Sequence, residues 1–251
     1  MKMSRSVSVW LVLSVCAGLQ GQQEKSAAPA PASKPVRTAY YVDPIVLNVA
    51  VLLPQPPAVD SPTTKAELVE LHRIEATRTP EQVANAKADE AEEDMFAFKT
   101  IFGAGFNAEA LPMTAALGAH VKNEQSVLGN QLKLAFQRPR PYQTDPSLHP
   151  VCELKATHDS YPSGHSMTGY LEAFTLAEIV PEKRDEILAR ADDYAHNRLV
   201  CGVHYPSDVE ASRRFAYVVF GYMLATPRFQ HDLDAARDEM RTKLDMAAGK
   251  H

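Results

Sequence analysis

From about residue 64 onward, the hydrophobic positions of this chain recur at helical spacing. Leu68, Leu71 and Ile74 lie three residues apart, which places them on one face of a helix. Thr79-Pro80 with Gln82 is typical of a helix start, because the threonine can cap the helix and proline suits its first turn. The same periodicity predicts further helices over residues 108–136, 164–180, 182–196, 208–225 and 229–246.

No stretch alternates between apolar and polar residues for long enough to indicate a strand. The pattern therefore predicts an all-α protein, a single helical-bundle domain over residues 43–248. No run after the first residues reaches 18 apolar residues, so no transmembrane segment is expected there.

The first residues carry a different pattern. Lys2 and Arg5 precede an apolar run over residues 7–17, which is shorter than the roughly 20 residues that a membrane span needs. This is typical of a secretory signal, so we expect residues 1–21 to be removed and the protein to be periplasmic or secreted. Lipoprotein anchoring through Cys16 is a less favoured alternative. Residues 22–42 are rich in Gln, Ala, Pro, Ser and Lys and are predicted to form a flexible lead-in.

The charge balance excludes one class of partner. The 251 residues include 26 Lys and Arg against 31 Asp and Glu, a net charge of −5. Removal of the signal lowers the charge to −7, because the signal holds Lys2 and Arg5 and no acidic residue. An acidic chain argues against nucleic acid, whose phosphate backbone attracts a basic surface. Any phosphate-bearing ligand must therefore meet a local cluster of cations.

The cysteines predict one cross-link. Cys16 falls in the signal, which leaves Cys152 and Cys201 in the mature chain. An even count in an exported protein favours a disulfide, here closing a loop of about 50 residues and worth on the order of 4 kcal/mol. Two free buried thiols are the alternative.

The first of three polar clusters runs from Lys133 to Pro141. Pro139 and Pro141 end a helix there, and Lys133 and Arg140 are seven residues apart, about two helical turns. Two cations could thus converge on one anion. The alternative is a basic helix end that merely complements the helix dipole.

The second cluster is Ser160 to His165. Ser163 is a favourable N-cap, and Gly164 allows a ligand to approach the backbone closely. A helix that begins here directs free N–H groups and the positive end of its dipole at an anion, with His165 at the same place. The alternative is an ordinary capped helix start with an incidental histidine.

The third cluster places Arg198, His204 and Asp208 in one short stretch. Asp208 follows His204 by four residues and could accept a hydrogen bond from the ring, which would fix its tautomer and leave the other nitrogen as a nucleophile. The alternative is a surface histidine followed by a helix start, since Ser207 and Glu210 also fit a capping box.

Together, Lys-x6-Arg-Pro, Pro-Ser-Gly-His and Arg-x5-His-x3-Asp resemble the signature of the type-2 phosphatidic acid phosphatase superfamily. Within it, the chain is similar to the secreted bacterial class A non-specific acid phosphatases, from Leu53 to the final helix. The register of the first motif is unambiguous, because Arg138-Pro139 would require a lysine where Gln131 stands. One departure is Asn197 in place of the family's usual serine, which puts the positioning role of that hydroxyl in doubt.

The resemblance implies phosphoryl transfer through a phosphohistidine. His204 would be the nucleophile, His165 the general acid and base, and Asp208 the residue that orients His204. The phosphoryl oxygens would be bound by Lys133, Arg140, Ser163, Gly164 and Arg198.

The implied enzyme is a broad-specificity acid phosphatase acting on small phosphate monoesters, with phosphate transfer to alcohols as a second outcome. No metal or other cofactor is expected, because three cations would neutralise the phosphoryl charge. Phosphate and vanadate should inhibit, and a homo-oligomer is compatible with the sequence. The scheme needs neutral His204 and protonated His165, so a weakly acid optimum is expected from ordinary histidine pKa values of about 6.5.

Three other functions compete with this interpretation. A vanadium-dependent haloperoxidase-like enzyme would share almost the whole site. A lipid phosphatase would carry the same signature between membrane spans. A periplasmic phosphate-binding helical protein would use the cations but leave His204 and Asp208 without a purpose.

Overall fold

A computed structural model describes residues 38–44 and 51–245, and the predicted signal lies outside them. The described residues contain helices and no strand, which confirms the all-α prediction. The helices are α1 Pro62–Thr77, α2 Pro80–Ala91, α3 Lys99–Phe102, α4 Pro112–Phe136, α5 Pro141–Thr144, α6 Gly164–Ile179, α7 Arg184–Val200, α8 Pro206–Leu224 and α9 Pro227–Lys243. Within these residues, no helix is both long enough and apolar enough to cross a membrane.

Prolines decide where several helices begin. Thr79 caps α2 as predicted, accepting the Gln82 N–H at 3.2 Å. The helix predicted from residue 208 begins two residues earlier, at Pro206, because the fixed φ of proline and its missing N–H suit the first helical turn. Asp208 therefore lies inside the first turn of α8 and is not its first residue.

Helix α6 is the centre of the bundle and packs against α4, α7 and α8. Most of its side chains are buried, including Met167, Leu171 and Leu176. Gly169 allows α7 to come very close, since a Cβ at this position would lie 2.6 Å from a ring carbon of Tyr194. This packing brings the first turn of α6 beside the end of α7 and the start of α8, where the polar motifs lie.

The predicted flexible lead-in is wrong at its end. Tyr41 and Val42 are buried, with 6% and 5% of their surface exposed. Glu124 of α4 accepts the backbone N–H groups of Tyr40, Tyr41 and Val42, and the Tyr41 hydroxyl donates to Asp232 at 2.8 Å. A buried carboxylate that satisfies three N–H groups fixes this segment to the domain. The rest of the lead-in, before residue 38, lies outside the described residues.

A disulfide joins Cys152 to Cys201, with a Cα–Cα distance of 5.2 Å. It ties the irregular segment after α5 to the residue that follows α7. The alternative of two free thiols does not occur. The sulfurs lie near the Glu90 carboxylate, but bonded sulfurs do not offer thiolates to a metal ion.

Candidate active site

The three polar motifs meet at one end of the bundle. Lys133 comes from the last turn of α4, and Arg140 from the extended residues that follow it. Ser163 and Gly164 form the start of α6, and Arg198 lies in the last turn of α7. We call Lys133, Arg140, Arg198 and the N-terminus of α6 the phosphate seat. The structure therefore brings together residues that are up to 65 positions apart, from Lys133 to Arg198.

His204 has a defined tautomer. Its Nδ1 lies 2.8 Å from the carbonyl oxygen of Ser160 and 3.3 Å from Oδ2 of Asp208. A carbonyl can only accept, so Nδ1 carries the hydrogen. The lone pair is then on Nε2, which lies 3.3 Å from a guanidinium nitrogen of Arg140. Burial and the positive charge of Arg140 hold the pKa of His204 well below its usual value, so the ring is neutral.

Asp208 is completely buried and receives donors from several directions. Its carboxylate accepts from the Ser160 hydroxyl at 2.6 Å, the Tyr205 N–H at 2.8 Å and Arg138 at 2.7 Å. Burial raises the pKa of Asp208 to about 6, although the Arg138 charge and these donors oppose the rise. The closest partner of His204 is therefore the Ser160 carbonyl, and Asp208 supports both residues.

Arg138 is a site residue that the sequence analysis missed. Its guanidinium pairs with Asp208 and with Glu67 of α1, and its carbon lies 3.9 Å from the centre of the Tyr205 ring. Only 3% of the residue is exposed. The motif spacing selected Arg140 and gave Arg138 no role, because its partners come from distant helices.

Two of the seat cations share a carboxylate. Asp159 accepts from Nε of Arg140 at 2.8 Å, and its second oxygen lies 3.9 Å from Nζ of Lys133. Burial lowers the pKa of Lys133 to about 8, so the amine remains mainly charged at acid pH. The hydrogen bond from Arg140 and the charge of Lys133 hold the pKa of Asp159 below its usual value against the effect of burial. The sequence analysis also missed Asp159.

The N-terminus of α6 has the predicted cap. Ser163 is completely buried, and its hydroxyl oxygen accepts from the Ser166 N–H at 3.4 Å and the Ser166 hydroxyl at 2.9 Å. A Cβ on Gly164 would lie 3.2 Å from the Gln125 amide nitrogen and 3.9 Å from Cε of Lys133. Gly164 thus keeps the helix start open beside the seat.

Arg198 supplies the third cation. One terminal nitrogen lies 3.3 Å from Glu90 and the other 3.6 Å from the sulfur of Cys201. Its Nε is buried and has no hydrogen-bond partner among the described residues. An unsatisfied buried donor on a cation is unusual and is what an anion-binding group requires.

His165 is held by residues at the end of α2. Its Nε2 lies 3.2 Å from the carbonyl oxygen of Glu90, so this nitrogen carries the hydrogen. Its Nδ1 lies 3.7 Å from the Glu93 carboxylate, which is longer than a hydrogen bond. Burial, followed by the charge of Arg198, lowers the pKa of His165 to about 3. With this pKa His165 is neutral at weakly acid pH, contrary to the expectation of a protonated ring.

Asn197 does not belong to the phosphate seat. Its amide donates at 2.7 Å to Asp89 of α2, which also pairs with Arg190. The departure from the family's usual serine thus serves the contact between α2 and α7.

The family model described as "PAP2 superfamily" matches residues 111–232, which contain all three motifs. This part of the chain is therefore a PAP2-type domain by sequence. The chain is 29% identical over 209 residues to a non-specific acid phosphatase of Salmonella typhimurium, an alignment covering 78% of this chain and 82% of the relative. It is 42% identical over 80 residues to a non-specific acid phosphatase of Providencia stuartii, covering 32% of each chain.

A crystal structure of a bacterial vanadium-dependent iodoperoxidase has a similar fold. The TM-score is 0.55 with 18% identity, and the alignment covers 70% of this chain and 53% of the peroxidase. At this identity the likeness shows the fold alone.

Proposed function

We propose that this chain is an acid phosphatase that hydrolyses phosphate monoesters with broad specificity through a phosphohistidine intermediate. The observation that carries the proposal is the arrangement of His204: the Ser160 carbonyl binds its Nδ1–H, and its Nε2 lone pair faces Arg140 in the seat. The relatives named as acid phosphatases support this reaction class.

In the first step, Nε2 of His204 attacks phosphorus, and the bond from phosphorus to the ester oxygen breaks. The ring becomes positive, and the buried Asp208 carboxylate and the Ser160 carbonyl stabilise it. In the second step, water attacks phosphorus and the N–P bond breaks, which releases phosphate and returns neutral His204. An alcohol in place of water gives phosphate transfer.

His165 would donate a proton to the leaving oxygen through Nδ1, the ring nitrogen without a hydrogen bond, and take one from water in the second step. Its low pKa means that this proton arrives with the substrate. The second pKa of a phosphate monoester is about 6, so at acid pH the bound ester carries a proton of its own. The negative charge of the ester also offsets Arg198, the second cause of the low pKa. We therefore attribute the acid optimum to the protonated ester.

We propose that neither a metal ion nor another cofactor takes part. The supporting argument is the charge of the seat, since Lys133, Arg140 and Arg198 can neutralise the phosphoryl oxygens. The same seat should bind phosphate and vanadate as competitive inhibitors, because both are tetrahedral oxyanions. The oligomeric state is best measured alongside activity, with a homo-oligomer as one outcome.

We further propose that the protein is periplasmic or secreted after removal of residues 1–21. The Cys152–Cys201 disulfide supports this location, because such bonds persist in oxidising compartments. Mass spectrometry of the mature N-terminus tests the cleavage site, and detection of a lipid on Cys16 would contradict it.

The decisive experiment is hydrolysis of a panel of phosphate monoesters across pH in the presence of EDTA. We expect release of phosphate from p-nitrophenyl phosphate and several aliphatic esters, with a maximum at weakly acid pH. Loss of activity with EDTA and its return with a metal ion would contradict the metal-independent mechanism. His231→Ala, an exposed histidine on α9, is the matched control and should keep the wild-type rate.

The same panel separates the competing functions. Halide oxidation with vanadate and peroxide would favour a haloperoxidase-like enzyme. Much faster hydrolysis of phosphatidic acid than of water-soluble esters would favour a lipid phosphatase. Tight phosphate binding without turnover would favour a binding protein.

A further inference from the structure

The carboxylate of Asp159 lies between two cations that the proposed mechanism assigns to the phosphoryl group. It is 2.8 Å from Arg140 and 3.9 Å from Lys133, and its backbone carbonyl accepts from Lys133 at 2.5 Å. The residue belongs to the irregular segment between α5 and α6, where it precedes Ser160 directly. The same segment therefore carries the group that fixes His204 and a carboxylate that pairs with the seat.

Asp159 is more accessible than the arginine with which it pairs. Its side chain is 23% exposed, whereas Arg140 is 3% exposed. Together with Lys133, Asp159 lines an open groove of about 660 Å³, whose other walls include Leu134 and His158. A phosphate group entering from this groove would meet the carboxylate at the edge of the seat.

The position has an electrostatic consequence. The negative charge of Asp159 offsets part of the positive charge of Lys133 and Arg140 that would otherwise attract a phosphate. It also repels the phosphate directly. Such short-range effects are large when the groups are partly buried, because water screens them less. Asp234 on α9 also pairs with an arginine, Arg237, but its side chain is 66% exposed and lies outside the three motifs. Asp234 is therefore a matched control for Asp159.

We propose that Asp159 limits how tightly the seat holds phosphate, because Lys133 and Arg140 have an internal carboxylate partner with which a bound phosphoryl group must compete. The inference rests on the proposed function, since it assigns the same seat to substrate and product. It means that Asp159 weakens binding of the phosphate product and so favours its release.

The test removes the charge of Asp159 and measures binding and turnover separately. We expect Asp159→Asn to lower the Kd for inorganic phosphate and the KM for p-nitrophenyl phosphate by about tenfold, with kcat unchanged or reduced. Asp159→Ser, which removes the charge with a smaller side chain, should do the same. Asp159→Glu should keep values close to the wild type, and Asp234→Asn should change none of them.

Calorimetry with phosphate alone reads the binding without turnover. If Asp159 merely positions Arg140, both neutral variants will bind phosphate more weakly, KM will rise and kcat will fall, and the inference is overturned. Unchanged phosphate binding in two folded neutral variants overturns it as well. A wild-type protein that binds phosphate but releases none from esters would instead count against the proposed function.

Discussion

His204 and His165 are each held by a hydrogen bond to a backbone carbonyl, but the side chains around the two rings differ. In each ring one nitrogen donates to a backbone carbonyl, that of Ser160 for His204 and that of Glu90 for His165. His204 contacts a buried network formed by Asp208 and Arg138. Among the described residues, the Glu93 carboxylate lies near the other nitrogen of His165, at 3.7 Å.

This difference separates two tasks. A nucleophile needs a lone pair that is permanently aimed, and a dense buried network supplies this before substrate arrives. A general acid needs a proton that it can give away, and burial together with the charge of Arg198 lowers the pKa of His165. In the proposed mechanism, the protein alone prepares the nucleophile, whereas protein and substrate together prepare the acid.

The largest expected effect is that of His204→Ala. It removes the atom that bonds to phosphorus, so we expect kcat on p-nitrophenyl phosphate to fall by at least about 10⁴-fold. Calorimetry should still detect phosphate binding, because the three cations remain. A substantial residual rate in the folded variant would contradict the assignment of the nucleophile.

His165→Asn should be the next largest. We expect kcat to fall about 10²- to 10³-fold on an aliphatic phosphate and much less on p-nitrophenyl phosphate, whose leaving oxygen needs no proton. Comparison of the two esters isolates the acid step. Equal losses on both esters would show that His165 acts by some other means.

Arg138→Gln tests the network behind His204. It leaves Glu67 and Asp208 without their buried partner, so we expect a loss of about 3–5 kcal/mol in the free energy of unfolding. Without the opposing charge, the pKa of Asp208 rises further, and the fall of activity on the acid side moves to higher pH.

Arg214→Gln is the matched control, because Arg214 pairs with Glu210 on the exposed side of α8. It should change neither the Tm nor the pH profile. An Arg138→Gln variant with the wild-type pH profile would mean that Arg138 acts on stability alone.

The smallest expected effect is the change in the free energy of unfolding with pH. The pKa values of both histidines are lower in the folded than in the unfolded protein, so the unfolded chain binds more protons below about pH 6.5. The free energy of unfolding should therefore fall as pH decreases from about 6.5 towards 3, with the Tm falling roughly 2–4 °C per kcal/mol. Asp208 opposes this in part, because its folded pKa is raised.

Thermal unfolding with and without phosphate measures this effect. Phosphate should reduce the loss of Tm at acid pH, and His165→Asn should flatten the profile. A Tm that does not change over this pH range in either protein would contradict the low histidine pKa values.

Much of the fold was predictable because its signals are local. Helical periodicity and the cap at Thr79 depend on residues a few positions apart. Two predictions were wrong. Helix α8 begins at Pro206 and not at residue 208, and the segment predicted to be flexible ends before Tyr41, which packs against Phe229. The second of these depends on a partner almost 190 residues away, which no window of sequence contains.

The sequence by itself determined which residues we propose to carry the chemistry, because the motifs that contain Lys133, Arg140, His204 and Asp208 have a recognisable spacing along the chain. Only the tertiary structure decided the protonation states, tautomers and orientations of those residues. The tautomers depend on carbonyls of Ser160 and Glu90, and the protonation states depend on burial and on neighbouring charges such as Arg198. A sequence motif records side-chain types. It does not record which backbone carbonyl a side chain contacts or how far apart charged groups lie in space, and these two properties set the tautomers and the charges.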